Sequence, residues 1–269
     1  MEKIINKPIA ETYGWLRVGG TKVTLPERTV EKALVLPEDA KETVYLEDDG
    51  AMTYVSAQLG SRAELTLVLI RHATVKEDCF LDVQASCEEN ARFHLIRVIL
   101  GGQKTYDNIS VDLKGRGASF LADVGYQLKG TELYDVNCEA IHLGKRTEDT
   151  IRSYGVLSQQ AEKLLRGTID FRKGCSGAVG NETEDVLLLD ETVVNKTVPT
   201  ILCTEEDVAG NHGATIGRPD EKLLKYMASR GIEEEAAVSL MARAKLEVVI
   251  AQIPDEEIIR KIREENGWT

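Results

Sequence analysis

Between residues 26 and 217 the chain is a succession of short strand-like runs, with no helical period sustained between them. ELTLVLI (64–70), ARFHLIRVIL (91–100), NISVDL (108–113), GTIDFRKG (167–174) and DVLLLD (185–190) are examples. Glycine, asparagine and acidic residues punctuate them at frequent but irregular intervals. Some runs alternate, as Ile109, Val111 and Leu113 do, and others are continuously apolar. Without intervening helices a βαβ sheet is disfavoured, which leaves a sandwich, a barrel or a parallel β-helix. Aromatic residues are only 5% of the chain, so the core is built from Val, Leu, Ile and Ala. That composition suits strands stacked in ladders, although no strict repeat selects the stacked coil over the other two architectures.

The flanks differ in character. Residues 1–25 read as a lead-in, with Tyr13, Trp15 and Leu16 as anchors beside a turn at Gly19-Gly20. Residues 26–217 are the β body, and 218–269 form a helical subdomain. There Asp220 is the expected N-cap of a first helix carrying Leu223, Leu224 and Met227 and ending near Gly231. A second helix is expected over 233–253, with Ala236, Ala237, Leu240, Met241 and Ala244 along one face. Pro254-Asp255 restarts a third, with Ile258, Ile259 and Ile262, closed by Gly267.

Several function classes find no support. VGGTK (18–22) and GRGAS (115–119) lack the spacing of a phosphate-cradling loop and read as turns. There is no GxSxG, and the net charge of −12 comes without a basic stripe to meet nucleic acid. No run of eighteen apolar residues suggests a membrane span, and the N-terminus has no secretory pattern, so a cytoplasmic protein is expected. Five cysteines at wide spacing, none in CxxC, read as reduced thiols. Cys138 and Cys175 are expected as buried strand residues. His72 reads as a strand-end residue and His94 as a structural one within a strand.

His212 stands apart because Gly210 and Gly213 leave its imidazole uncrowded in GNHGAT. Spacing alone allows a turn histidine bonded to backbone, or a ligand or proton-transfer residue. The wider segment, Asp207-Val208, His212-Gly-Ala-Thr215, Gly217 and then Ser229-Arg-Gly-Ile232, resembles the C-terminal signature of the SufB/SufD family of iron–sulfur cluster assembly scaffolds. Gly213 makes HGAT, as in the SufD branch, where SufB tends to have HEAT. Tyr134-Asp135 to His142, Gly155-Val-Leu157 and residues 166–190 are similar to further family segments, so the resemblance spans roughly residues 105–250.

The resemblance implies a right-handed parallel β-helix followed by C-terminal helices. It implies a non-catalytic scaffold that pairs with itself or a paralogue and binds a SufC-like ABC ATPase through its helical end. The nucleotide then belongs to the partner, and a transient iron–sulfur cluster is the cargo. In many SufD sequences a cysteine lies two positions before the histidine; here that position is Gly210. The candidate ligands are therefore His212, Cys203 and the carboxylate of Glu205, with a small buried hydrophobe as the other reading of Cys203. The long N-terminal helical extension of larger members is not found, which gives the expectation of a compact form. Two alternatives remain: a purely structural subunit that positions the ATPase, and a carbohydrate-active β-helix enzyme using Asp112, Asp123 and Asp135.

Overall fold

A parallel β-helix settles the choice that the strand pattern leaves open. The structure, a computed structural model, describes residues 2–8 and 17–268; the anchors expected at Tyr13, Trp15 and Leu16 lie outside the described residues. Strands β1 (Glu2–Ile5) and β2 (Thr21–Thr24) form a small antiparallel sheet. One seven-stranded sheet then stacks β3 (Thr29–Leu36), β5 (Met52–Leu59), β7 (Cys79–Cys87), β9 (Lys104–Leu113), β11 (Leu133–His142), β13 (Glu162–Phe171) and β15 (Val194–Cys203). The second stacks β4 (Lys41–Glu47), β6 (Glu64–Arg71), β8 (Arg92–Ile99), β10 (Ser119–Leu128), β12 (Glu148–Leu157), β14 (Ala178–Leu188) and β16 (Val208–Gly217). We call these the odd and the even sheet. The chain alternates between them, so each odd–even pair is one coil laid parallel on the coil before it.

Successive coils place like positions in columns. The Asn137 amide reaches Asn108, 29 residues back, and Asn211 reaches Asn181, 30 residues back. At one corner of the first six coils a residue adopts a left-handed conformation: Asp39 (φ 63°), Arg62 (59°), Asn90 (54°), Gly117 (68°), Arg146 (54°) and Gly177 (79°). The backbone N–H of each donates to a carbonyl of the next coil's corner, so the corners stack as a column of their own. Between the sheets, Val55, Ala57 and Ile109 meet Leu65, Leu67 and Leu95 in one apolar core. At roughly 25 cal/mol per Å² of apolar surface buried, such ladders supply most of the driving force for stacking.

The strands with continuously apolar sequence are those covered on both faces. Val68 and Ile70 of β6, and Ile96 and Val98 of β8, point away from the interior, yet the C-terminal helices bury them. These helices are α1 (Glu221–Ser229), α2 (Glu234–Ile250) and α3 (Glu256–Glu265). Asp220 caps α1 by accepting from Lys222 N, and Asp255 caps α3 by accepting from Glu257 N and Ile258 N. Gly125 of β10 allows α2 its close approach, since a Cβ there would lie 3.1 Å from Val249 Cβ. His72, at the strand end, holds α3 through Nδ1 and Glu265 Oε2 at 2.7 Å.

Two helix faces depart from expectation. In α2 the buried side is Ala237, Ala242, Leu246, Val249 and Ile250, while Ala236, Leu240 and Ala244 are exposed. The helix carries apolar residues around most of its circumference, so periodicity could not choose a face; the apolar strip on the even sheet does. In α1 no residue is fully buried, with Leu224 and Met227 half-covered and Leu223 exposed. Among the described residues no helix is long and apolar enough to cross a membrane.

Candidate functional site at the open end of the solenoid

Strands β15 and β16 end their sheets, and each has a neighbour on one side only among the described residues. His212 lies in the middle of β16, paired with β14 from Ala178↔Val208 to Leu187↔Gly217. The turn expected around it is thus an extended strand; its glycines are accommodated by ladder pairing. Inward and outward positions alternate. A Cβ on Gly210 would meet Phe171 Cε2 at 2.9 Å and Ile201 Cδ1 at 3.2 Å, which puts Gly210, and with it position 212, on the inward side. A cysteine at 210 would therefore press on the Phe171 ring, and its absence here fits a crowded position.

Directly beneath His212 in the register is Glu182, one strand spacing of about 4.8 Å away. Glu182 is only 3% exposed and its Oε2 has no hydrogen-bond partner. Burial, reinforced by the nearby Glu184 charge, pushes its carboxyl up to about 7. The space it occupies is left by Gly167 on the facing sheet, where any Cβ would overlap the Glu182 carboxyl. Gly180, in the Gly210 column, likewise yields to Asp149. The last coils thus exchange the Leu and Val ladders for a charged interior spaced by glycine.

That interior is wired by hydrogen bonds. The Lys163 ammonium bonds Glu184 and reaches Thr197 Oγ1 at 2.9 Å, while Thr197 Oγ1 donates to Glu184 Oε2 at 2.6 Å. Burial lowers the Lys163 pKa, against the pull of Glu184. His142 bonds Thr147 Oγ1 and Asp149 Oδ1, both at 2.7 Å, and stacks on Phe171 with ring centroids 4.7 Å apart. Cys138 sits inward on β11 and is buried, as expected; burial first and Glu182 second raise its thiol pKa well above the ordinary value.

Cys203 ends β15 in the inward column above Phe171, and it is exposed, so it is not the buried small hydrophobe of the alternative reading. Its Sγ donates to Glu205 O at 2.9 Å. The Glu205 carboxylate accepts from Gly174 N at 2.8 Å and Glu206 N at 3.0 Å, and these backbone donors lower its pKa. In this form Glu205 organises the corner. Cys175 is buried as expected, but in the corner turn between β13 and β14, not in a strand; its pKa is raised by burial, then by Glu205, with a smaller contribution from Cys203. Cys203, Cys175 and Glu205 therefore share one corner, and His212 stands on the last strand of the other sheet. Among the described residues no group of three or more His, Cys, Asp and Glu is placed to hold a metal ion.

The three aspartates considered for carbohydrate chemistry are divided between opposite outer faces. Asp123 is on the even sheet, held by Arg152 Nε at 2.7 Å and by His94 Nε2 at 2.8 Å. Asp135 is on the odd sheet, bound by Arg166, Asn6 and Thr21. Asp112, also on the odd sheet, lies 3.8 Å from Lys114. A facing pair of carboxylates is not formed by Asp123 with either of the others. Glu182, Glu184, Lys163 and Asp149 are functional candidates that no sequence motif marks. A signal was present: in AVGNETEDVLL, Glu182 and Glu184 share parity with Ala178 and Val186, which marks two acids on an inward face.

Comparison with known proteins gives this geometry a family. Residues 27–245 match the model described as SUF system FeS cluster assembly, SufBD core domain, and the chain belongs to that family. It is 26% identical over 243 residues to the iron–sulfur cluster assembly protein SufB of Bacillus subtilis (strain 168), covering 87% of this chain and 52% of the relative. To SufD of the same organism it is 31% identical over 134 residues, covering 50% of this chain and 31% of the relative. A SufBD family protein of Staphylococcus haemolyticus is 24% identical over 243 residues, with 87% and 52% covered. The chain spans about half the length of the Bacillus SufB and of the Staphylococcus SufBD family protein. SufB is matched over the greater length and SufD at the higher identity.

Proposed function

We propose that this chain is a scaffold, without turnover of its own, in iron–sulfur cluster assembly, and that its last coil is where the cluster is held. The observation that carries this reading is His212, exposed on the terminal strand of a SufBD-family β-helix with a buried, unpartnered carboxylate in the position beneath it. Imidazole and thiolate suit iron, and Cys203 supplies the thiol at the neighbouring corner. Two donors from one chain leave iron short of its usual ligands, so the rest come from a second chain. The edges of β15 and β16, unpaired among the described residues, offer that chain backbone donors and acceptors to pair with. Glu205 is a further ligand only if it leaves Gly174 and Glu206.

The helical end suits a second kind of partner. Leu223 and Tyr226 of α1, and Leu240 of α2, are 41%, 56% and 48% exposed, large apolar side chains that the rest of the chain leaves uncovered. We assign this surface to an ABC-type ATPase, which brings the nucleotide that the chain has no loop to bind. Coexpression with such an ATPase should yield a stable complex, and Tyr226→Asp should dissociate it while the β-helix stays folded by circular dichroism. Failure of the wild-type chain to copurify with the ATPase would remove the assignment.

A further inference from the structure

The outer face of the odd sheet carries a cavity separate from the interior of the last coil. Where β1 and β2 lie over that face, a cavity of about 350 Å³ remains between the Ile4–Lys7 segment and strands β5 to β11. One wall is flat and apolar: Phe80 and Tyr106 stack with ring centroids 4.9 Å apart, next to Met52. The rest is a polar ladder on the outward positions of successive coils, Asp82, Asn108 and Asn137 in one column and Gln84, Ser110 and Glu139 in the next.

This ladder has more acceptors than donors. Asn137 is 2% exposed; its Nδ2 donates to Asn108 Oδ1 and Glu139 Oε1, both at 3.0 Å, and its Oδ1 is buried without a partner. Asn6, 3% exposed and in a left-handed conformation (φ 51°), spends its Nδ2 on Asp135 O and Oδ1, both at 2.9 Å. Its Oδ1 is also buried and unpartnered. In both amides the network fixes which end is nitrogen, so the orphaned atoms are carbonyl oxygens. Those two oxygens are closed to the cavity; the acceptors available along it are the carboxyls of Glu139 and Asp82, which call for a ligand with several donors.

We propose that this cavity binds a small arginine-like zwitterion, with its guanidinium on the carboxyls of Glu139 and Asp82 and its plane against the Phe80–Tyr106 wall. A guanidinium presents five N–H donors in a plane and stacks on aromatic rings, whereas an ammonium is a compact point donor. Lys3 and Lys7, exposed at the lip, meet the ligand's carboxylate. The volume is within the range of small-molecule sites.

Calorimetric titration of the full chain with free L-arginine tests this. Saturable one-to-one binding is expected, with lysine and agmatine each at least tenfold weaker, the first for want of the planar fork and the second for want of the carboxylate. Glu139→Gln, which keeps an acceptor for Asn137 but removes the charge, should weaken arginine at least tenfold. Ser110→Arg, which tethers a guanidinium in the cavity, should abolish binding with the far-ultraviolet spectrum unchanged, and it serves should Glu139→Gln fail to fold. No saturation by arginine at millimolar concentration overturns the proposal. So does lysine or agmatine binding as tightly as arginine, or affinity unchanged in Ser110→Arg.

Discussion

Replacing Glu182 by glutamine should stabilise the protein at high pH and leave it unchanged at low pH. In the unfolded chain the carboxyl ionises near 4.5, and in the folded chain burial and Glu184 push it up to about 7. Between these values the native state holds a proton that the unfolded state has lost, so stability falls as pH rises through the window. Above pH 7 the full difference, about 3 kcal/mol, is charged against the native state. The groups facing Glu182 are Glu184 and Asp149, which raise its pKa, and Lys163, which lowers it; His212 stands over it in the register. Lys163 is already engaged by Glu184 and Thr197, so it does little to neutralise the second acid. Glutamine has nearly the same shape and cannot ionise. Urea denaturation of both proteins at pH 5 and pH 8 reads the effect: a small gap at pH 5, and about 3 kcal/mol in favour of Glu182→Gln at pH 8, or a thermal midpoint shift on the order of 10 °C. A gap of the same size at both pH values would refute the buried, proton-holding acid.

Other consequences follow from the same packing. Arg97→Met should cost about 3–5 kcal/mol in urea denaturation, because it strands Asp107 and Asp48, both buried and both bonded to that guanidinium. Leu246→Ala should cost about 2–5 kcal/mol and expose α2 to limited proteolysis, since Leu246 is wholly buried against the even sheet. Maleimide labelling of the native protein at neutral pH, followed by mass mapping, should find Cys203 modified first. The other four thiols are buried, and burial pushes Cys79 up to about 11 and Cys87 up to about 12.

The β body was legible because alternation and punctuation report strands directly, but the coil was not. Its corner column uses Arg62, Asn90 and Arg146 as well as Gly117 and Gly177, so the repeat is one of backbone conformation with no shared residue to betray it. The parallel β-helix came instead from the resemblance carried by residues 207–232. The caps at Asp220 and Asp255 were legible because a short acid before a helix has a local task. The face of α2 was not, since what selects it is an apolar strip contributed by β6 and β8, far away in sequence. At the site, His212 stood out by its glycine neighbours, although those glycines lie in a strand. Glu182 was hidden among acids that looked like surface, and only the parity of β14 turns it inward.

On the proposed function, the last coil holds a nascent iron–sulfur cluster through His212 and Cys203. The direct test is iron and acid-labile sulfide content after anaerobic coexpression and purification with the ABC-type ATPase, for the native chain and for the double variant His212→Ala, Cys203→Ser. Iron and sulfide bound together by the native complex, and lost from a double variant that still assembles, is the predicted result. A complex that carries neither in any nucleotide state, or a double variant that carries as much as the native chain, would contradict it.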